Sequence, residues 1–358
     1  MVMLAFSAPV RTLAWATWLT RLLPPLCIGA GIAAQFTSPG LSTPVAAISI
    51  VFPAAGVVMS RRQTMDRWNQ RAMLVLITAA VLGVPGAMLW GGGEIAQSAI
   101  IALLTIPAIA LYWASPWKLL RWGFLALALA EAGAIFHDAW RHPLQRADGF
   151  TTDQTAAAGL MVLAAVAVLP TKHRWLALLF MAALLPTGSR WATLIMAAML
   201  LGMTVAKKVP WRVTIAMVIG VAIVGFTMRQ TMPNAFRTLP VAENTAADAA
   251  SRTAGAVFLR LQCPGGIALL PHGWMNDADQ AGRCHSVPMR LVYESGVIAM
   301  FAWGLVTGRS LWQRPRWTEA HLLMITMAAF AVFYYWAWAG PLGGIWAMLV
   351  AQREQEAA

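Results

Sequence analysis

AMLVLITAAVLGVPGAMLW, residues 72–90, and AQSAIIALLTIPAIALYWA, residues 96–114, decide the fold, because neither stretch contains a charged residue. A helix of about 19 residues is roughly 28 Å long and covers most of the hydrocarbon thickness of a bilayer. Backbone groups in lipid must be hydrogen-bonded within the protein. Both stretches are therefore predicted to be membrane-spanning helices.

The composition of the whole chain agrees with this prediction. Of 358 residues, 59% are hydrophobic and 11% are charged, and the mean hydropathy is +0.64. An ordinary soluble domain is excluded by these values. We predict an all-α polytopic membrane protein with about 12 (11 to 12) transmembrane helices. The predicted spans are residues 22–38, 43–60, 72–90, 96–114, 119–136, 154–170, 174–188, 190–206, 213–229, 287–307, 319–338 and 341–352.

Basic residues indicate the topology of these spans. They cluster in alternate connections, around Arg61, Lys118, Lys172, Lys207 and Arg309. Short cytoplasmic loops are enriched in Lys and Arg, so these connections and both termini are predicted to be cytoplasmic. The net charge of +12 is then mainly a topology signal, and nucleic-acid binding is not expected.

The predicted organisation has three parts: residues 1–228 with nine spans, residues 229–286 as one large outer loop, and residues 287–358 with three spans. Loops longer than about 15 residues are usually functional or disordered. Within the large loop, residues 252–262 are compatible with a helix, and Gly, Pro, Asp and His follow them. We expect a short amphipathic helix on the membrane and then a lid-like loop.

Cysteines and histidines give little support for a metal site. Cys263 and Cys284 both lie in the outer loop, where they form either a disulfide, which we favour, or two free thiols. The six His are scattered and lack the spacing of a zinc site. The Asp277–Asp279 pair is interpreted as a solvated turn. No metal and no cofactor are expected.

Several cations lie at the outer ends of the predicted spans. Arg190 begins a span, and Arg252 and Arg260 are two helical turns apart, hence on one helix face. An Arg in this position costs several kcal/mol unless it snorkels to the interface or meets an anion. One guanidinium group can donate two parallel hydrogen bonds to phosphate oxygens. A lipid-linked diphosphate is therefore the anion that fits these arginines best. Snorkelling arginines and a headgroup-binding stripe are the alternatives.

Two carboxyl groups fall within predicted spans. Glu294 lies four residues after Arg290, and an ion pair along one helix is favoured over a catalytic role. Glu131 is predicted to be buried in the span over 119–136. Buried carboxyl groups in membranes are often functional. A neutral Glu131 that is hydrogen-bonded to a neighbouring helix is the equal alternative.

Three motifs resemble those of the O-antigen ligase family. His285–Ser286, nine further residues and then Gly296–Ala299 are similar to its His-[Asn/Ser/Gln]-x9-Gly-x-x-Gly signature, with Ala in place of the last Gly. Arg190–Leu194 resembles its Arg-x3-Leu motif. Arg252, before Gly265 and Gly266, resembles the arginine that precedes a glycine turn in the family. The similarity covers roughly residues 140 to 310, which include the loop over 146–154.

This resemblance implies a GT-C-like glycosyltransferase of the bacterial inner membrane. Such an enzyme moves a glycan from undecaprenyl diphosphate to an acceptor hydroxyl at the periplasmic face, without metal and with inversion. The acceptor is another glycan or lipid A-core. The implied roles are catalytic base for His285, diphosphate binding for Arg190, Arg252 and Arg260, and support for Ser286, Arg290, Glu294 and Gly296.

Other functions are compatible with the same motifs. A polymerase of O-antigen or exopolysaccharide would use the same donor chemistry with a growing glycan as acceptor. A transporter of lipid-linked glycan would line a path at the membrane midplane with charge, whereas the cations here gather at one boundary. A scaffold that binds anionic headgroups is the third alternative.

Overall fold

A computed structural model describes residues 67–90, 117–143, 145–151, 154–231, 286–313, 317–333, 346 and 349–350. These residues are mainly helical and contain no β-strand. The helices are α1 (Arg67–Trp90), α2 (Trp117–Arg141), α3 (Gln154–Val168), α4 (Leu176–Thr187), α5 (Arg190–Val205), α6 (Trp211–Thr231), α7 (Val287–Gln313) and α8 (Glu319–Phe333), with a 3-10 turn at Gly149–Thr151.

The all-α prediction is confirmed for this part of the chain. Each of the eight helices overlaps one predicted span. The other four predicted spans, 22–38, 43–60, 96–114 and 341–352, lie outside the described residues, except for 346, 349 and 350. Within the described ranges, α6 is the one helix long and apolar enough to cross a membrane, over Trp211–Met228 with a mean hydropathy of 1.8. The total of about 12 spans stays a prediction.

Helix α3 forms the centre of the described bundle. It contacts α2, α4, α5 and α8. Every residue from 157 to 169 is buried, so α3 has no solvent-facing side over this stretch. A helix that is apolar all round is stable only when neighbours cover it on all sides. The Ala- and Val-rich sequence of α3 allows that close surrounding.

Helix α1 packs against α7 through a stripe of small residues. Apart from Leu76, the described residues of α1 that are buried are small, namely Ala72, Ala79, Gly83 and Gly86. Small side chains let two helix backbones approach closely, which increases the van der Waals contact between them. Pro85, in the same helix, is exposed and so lies away from this contact.

Contacts between distant residues define the two ends of the bundle. Arg121 Nε lies 3.2 Å from Glu319 Oε1, which joins the beginnings of α2 and α8. The ring of Trp317 lies 3.6 Å from the point where a Cβ on Gly202 would be, close to the end of α5. We call this the basic end, because Lys207 also lies there. The opposite end, which carries the α2–α3 connection and the α4–α5 turn, is called the loop end.

Helix α6 lies at the edge of the described bundle. It contacts α4 and α5, and a Cβ on Gly220 would come within 2.9 Å of Leu178. Only 11% of the residues in its apolar stretch, Trp211–Met228, are buried, and Ile215, Ile219 and Ile223 are exposed. A continuous apolar face of this kind marks a surface that another protein or a membrane covers.

Candidate functional site

The α4–α5 turn at the loop end is closely held by local hydrogen bonds. Gly188 has φ 60° and donates its N–H to the Leu185 carbonyl, ending α4 in the left-handed conformation that glycine favours. Thr187 Oγ1 donates to Leu184 O at 2.7 Å and accepts the Ser189 N–H at 3.3 Å. The turn therefore sets the direction in which α5 begins.

Arg190 is the first residue of α5, as the sequence predicts for the start of this span. Its side chain is half-buried, and within the described part of the chain it makes no hydrogen bond or ion pair. Ser189 is the N-cap residue, but its side chain makes no capping hydrogen bond. A cation at a helix N-terminus is repelled by the positive end of the helix dipole. A bound anion would relieve this repulsion.

The connection from α2 to α3 lies directly against that turn. Arg146 Nε donates to the Thr187 carbonyl at 2.8 Å. The Ala147 N–H donates to the Pro186 carbonyl at 3.0 Å. These carbonyls belong to the last turn of α4, where a helix has no internal donors left. Residues 146 and 147 thus satisfy two groups that the helix itself leaves open.

The same connection is held from its other side by carboxyl groups of α2. The Asp148 N–H donates to Asp138 Oδ2 at 3.1 Å, and the Phe150 N–H donates to Glu131 Oε2 at 3.1 Å. Gly149, with φ +63°, lies so close that an added Cβ would be 2.5 Å from Glu131 Oε1. Glu131, 1% exposed, therefore accepts a hydrogen bond from the loop that follows α2.

Helix α7 is interrupted about a third of the way along its length. Gly296 has φ 86° and ψ 167°, a backbone conformation that is essentially restricted to glycine. The sequence predicts a continuous span over 287–307, whereas the structure shows a break in the helix at this residue. Glu294 and Ser295, just before the break, are buried, and Ala299 after it is fully buried. The predicted continuous span is thus two helical segments.

The structure describes only some of the predicted site residues. Ser286 is buried and directly precedes α7, at the end of this helix opposite its connection to α8. Arg290 lies within α7, but its side chain is not among those described. His285, Arg252, Arg260, Cys263 and Cys284 lie outside the described residues, and their roles stay predictions. No group of three His, Cys, Asp or Glu that could hold a metal occurs in the described ranges.

The sequence predictions give Asp138 no site role, and they include Arg146 and Gly149 only as part of the loop over 146–154. An Asp148–Gly149 pair is a common turn signal, so the turn itself could have been predicted. The partner of Arg146 lies 41 residues further along the chain. No local pattern indicates such a pairing.

Comparison with known proteins does not identify a family for this chain. No protein-family model matches it, and no curated protein matches it significantly. The residues of the site are therefore the basis for assigning a function.

Proposed function

We propose that this protein is a membrane glycosyltransferase that moves a glycan from undecaprenyl diphosphate to an acceptor hydroxyl. The reaction takes place at the periplasmic face of a bacterial inner membrane, with both termini in the cytoplasm. The observation that supports the proposal best is Arg190, a half-buried cation at the start of α5 with no partner among the described residues. A guanidinium group in this position can bind an anion at one end of the helical bundle.

The composition and the outer surface of the bundle support a location in the membrane. The chain is 59% hydrophobic, and α6 presents exposed isoleucines over a length sufficient to span a bilayer. In lipid this apolar face is favourable, whereas in water it would promote aggregation. The exposed Trp211 at the start of α6 suits the interface between lipid and water.

A diphosphate leaving group gains negative charge as its bond to the sugar breaks. Arg190, with Arg252 and Arg260 from the outer loop, would stabilise this charge without a metal ion. Fixed guanidinium groups act more strongly in a site from which water is excluded. Of these three proposed diphosphate ligands, Arg190 is the one that lies within the described residues.

His285 is the proposed base for the acceptor. The acceptor oxygen forms its bond to the anomeric carbon while the bond from that carbon to the phosphate oxygen breaks, which inverts the anomeric configuration. The hydroxyl proton passes to the imidazole, and undecaprenyl diphosphate leaves. Ser286 follows His285 directly, and Arg290, Glu294 and Gly296 lie further along in α7. These four residues would orient His285.

The experiment is a transfer assay with purified protein in lipid nanodiscs and a lipid-linked oligosaccharide as donor. We expect Arg190→Met to lower transfer about 100-fold, in line with the removal of one donor to a developing charge. His285→Ala should lower it at least as much. Arg141→Met is the matched control, because Arg141 is an exposed arginine at the same end of the bundle.

Two outcomes would contradict the proposal. One is a wild-type protein that transfers no glycan to any acceptor hydroxyl. The other is Arg190→Met and His285→Ala variants that fold and transfer as the wild type does. The products also separate the two acceptor types: a single addition indicates a ligase, whereas a ladder of lengths indicates a polymerase.

A further inference from the structure

Residues 145–151 turn back along α2 after that helix has ended. The N–H of Asp148 donates to the Asp138 carboxylate, and the N–H of Phe150 donates to the Glu131 carboxylate. These two acidic residues are seven positions apart in α2, which corresponds to about 10 Å along the helix axis. The chain therefore descends beside α2 before α3 begins at Gln154. We call residues 145–151 the re-entrant segment.

Backbone outside a helix needs partners for its polar groups wherever water does not reach them. The carboxyl groups of Asp138 and Glu131 accept two of its N–H groups, and the Pro186 carbonyl accepts a third. Gly149 is required where the backbone passes Glu131, because any Cβ would overlap the carboxyl oxygen. Burial of Glu131 is thus explained by the segment that it supports.

The charges of Arg146 and Arg190 lie in opposite surroundings. Arg146 binds a carbonyl of the last turn of α4, at the negative end of that helix dipole, where a cation is stabilised. Arg190 begins α5, at the positive end of the next helix, where a cation is destabilised. The two arginines are linked through only three residues of the turn. One charge is compensated by the protein itself, and the other is available to a ligand.

We propose that the re-entrant segment is the positioning element of the diphosphate site, with Arg146 as the residue that holds the turn carrying Arg190. This inference rests on the proposed function, because it takes Arg190 as a diphosphate ligand. Arg146 acts through the Thr187 carbonyl and does not touch the substrate. Its loss would let the Thr187–Arg190 turn shift, and displacements of about 1 Å at a reacting site can cost 100-fold in rate.

The test compares Arg146→Met, Arg146→Lys and the control Arg141→Met in two measurements. The first is the KM for the lipid-linked donor and, separately, the KM for the acceptor. We expect Arg146→Met to raise the donor KM about 10-fold, to lower kcat and to leave the acceptor KM unchanged, because Arg190 contacts the diphosphate both in the bound donor and as charge develops on it. Arg146→Lys keeps one donor group and should restore part of the donor KM. Arg141→Met should match the wild type.

The second measurement is hydrogen exchange of the peptide over residues 186–193, with the interior of α5 as an internal reference. Arg146→Met should speed exchange in the turn and leave residues 196–203 unchanged, which also shows that the variant is folded. Equal exchange in wild type and Arg146→Met would overturn the inference, as would equal changes in the KM of donor and acceptor. A wild-type protein without transferase activity would overturn the proposed function instead, while faster exchange in the turn would still show that Arg146 holds it.

Discussion

The Glu131 side chain of α2 accepts the backbone N–H of Phe150 at 3.1 Å, so a buried carboxyl group supports the loop that follows its own helix. A buried polar group without a partner would cost several kcal/mol. Here the carboxyl oxygens and the backbone of the re-entrant segment satisfy each other. The arrangement gives the loop a defined position at the loop end, next to the turn that begins α5.

Gly149 is the residue on which this contact depends. Replacing it with Ala would place a Cβ 2.5 Å from Glu131 Oε1, and φ +63° is itself unfavourable for alanine. We expect Gly149→Ala to lower the free energy of unfolding by about 2 to 4 kcal/mol. The measurement is the denaturation midpoint in detergent. Gly133→Ala in α2 is the matched control, since nothing lies within 4 Å of its Cβ position. A Gly149→Ala midpoint equal to that of the control would contradict the contact.

The break in α7 gives a second prediction. Gly296 has φ 86° and ψ 167°, which alanine adopts only with strain, so Gly296→Ala should destabilise the protein by about 1 to 3 kcal/mol. Gly304→Ala lies in the same helix, where a Cβ meets no atom within 4 Å, and should be neutral or slightly stabilising. Thermal unfolding of both variants measures the difference. If the two variants melt together, α7 has no break at Gly296.

A third prediction concerns the buried tryptophan Trp346. Its Nε1–H donates to Thr307 Oγ1 at 3.0 Å, and its ring stacks on Trp303 with the centroids 6.1 Å apart. Thr307→Val keeps the shape of the side chain and removes the acceptor, which should cost about 1 to 3 kcal/mol. Chemical denaturation followed by tryptophan fluorescence measures the loss.

Thr326→Val is the control for that change. Thr326 is also buried, but among the described residues its hydroxyl bonds only the Leu322 carbonyl of its own helix, at 2.8 Å. Removing this hydroxyl leaves no donor without a partner, so the cost should be clearly smaller. An equal loss in the two variants would argue against the Trp346 hydrogen bond.

The positions of the eight described helices could be predicted from local sequence. Apolar runs such as residues 157–168 indicate a buried helix, and Gly188, two residues before Arg190, indicates a helix boundary. Their bounds differ from the predicted spans by a few residues in most cases. The helix break at Gly296 could not be predicted in this way, because a glycine inside an apolar run is compatible with a continuous helix.

The partners of the charged residues were much less predictable. Arg190 was identified because it interrupts an apolar stretch, which is a local signal. Arg146 and Glu131 carry equally visible charges, yet their roles depend on where the chain returns after α2 and where α4 ends. Hydrogen bonds require atoms to meet within a few tenths of an ångström. Sequence spacing does not specify distances of that kind between separate helices.

The sequence by itself determined the helical class and the approximate positions of the described helices, because each depends on the sum of local transfer free energies and on nearby turn residues. The tertiary structure decided which carbonyl receives Arg146, what Glu131 supports and which of two arginines is left for a ligand. These follow from the packing of α2, α4 and α5 around α3, where the direction of each helix dipole and the depth of each backbone segment are set by neighbours distant in sequence.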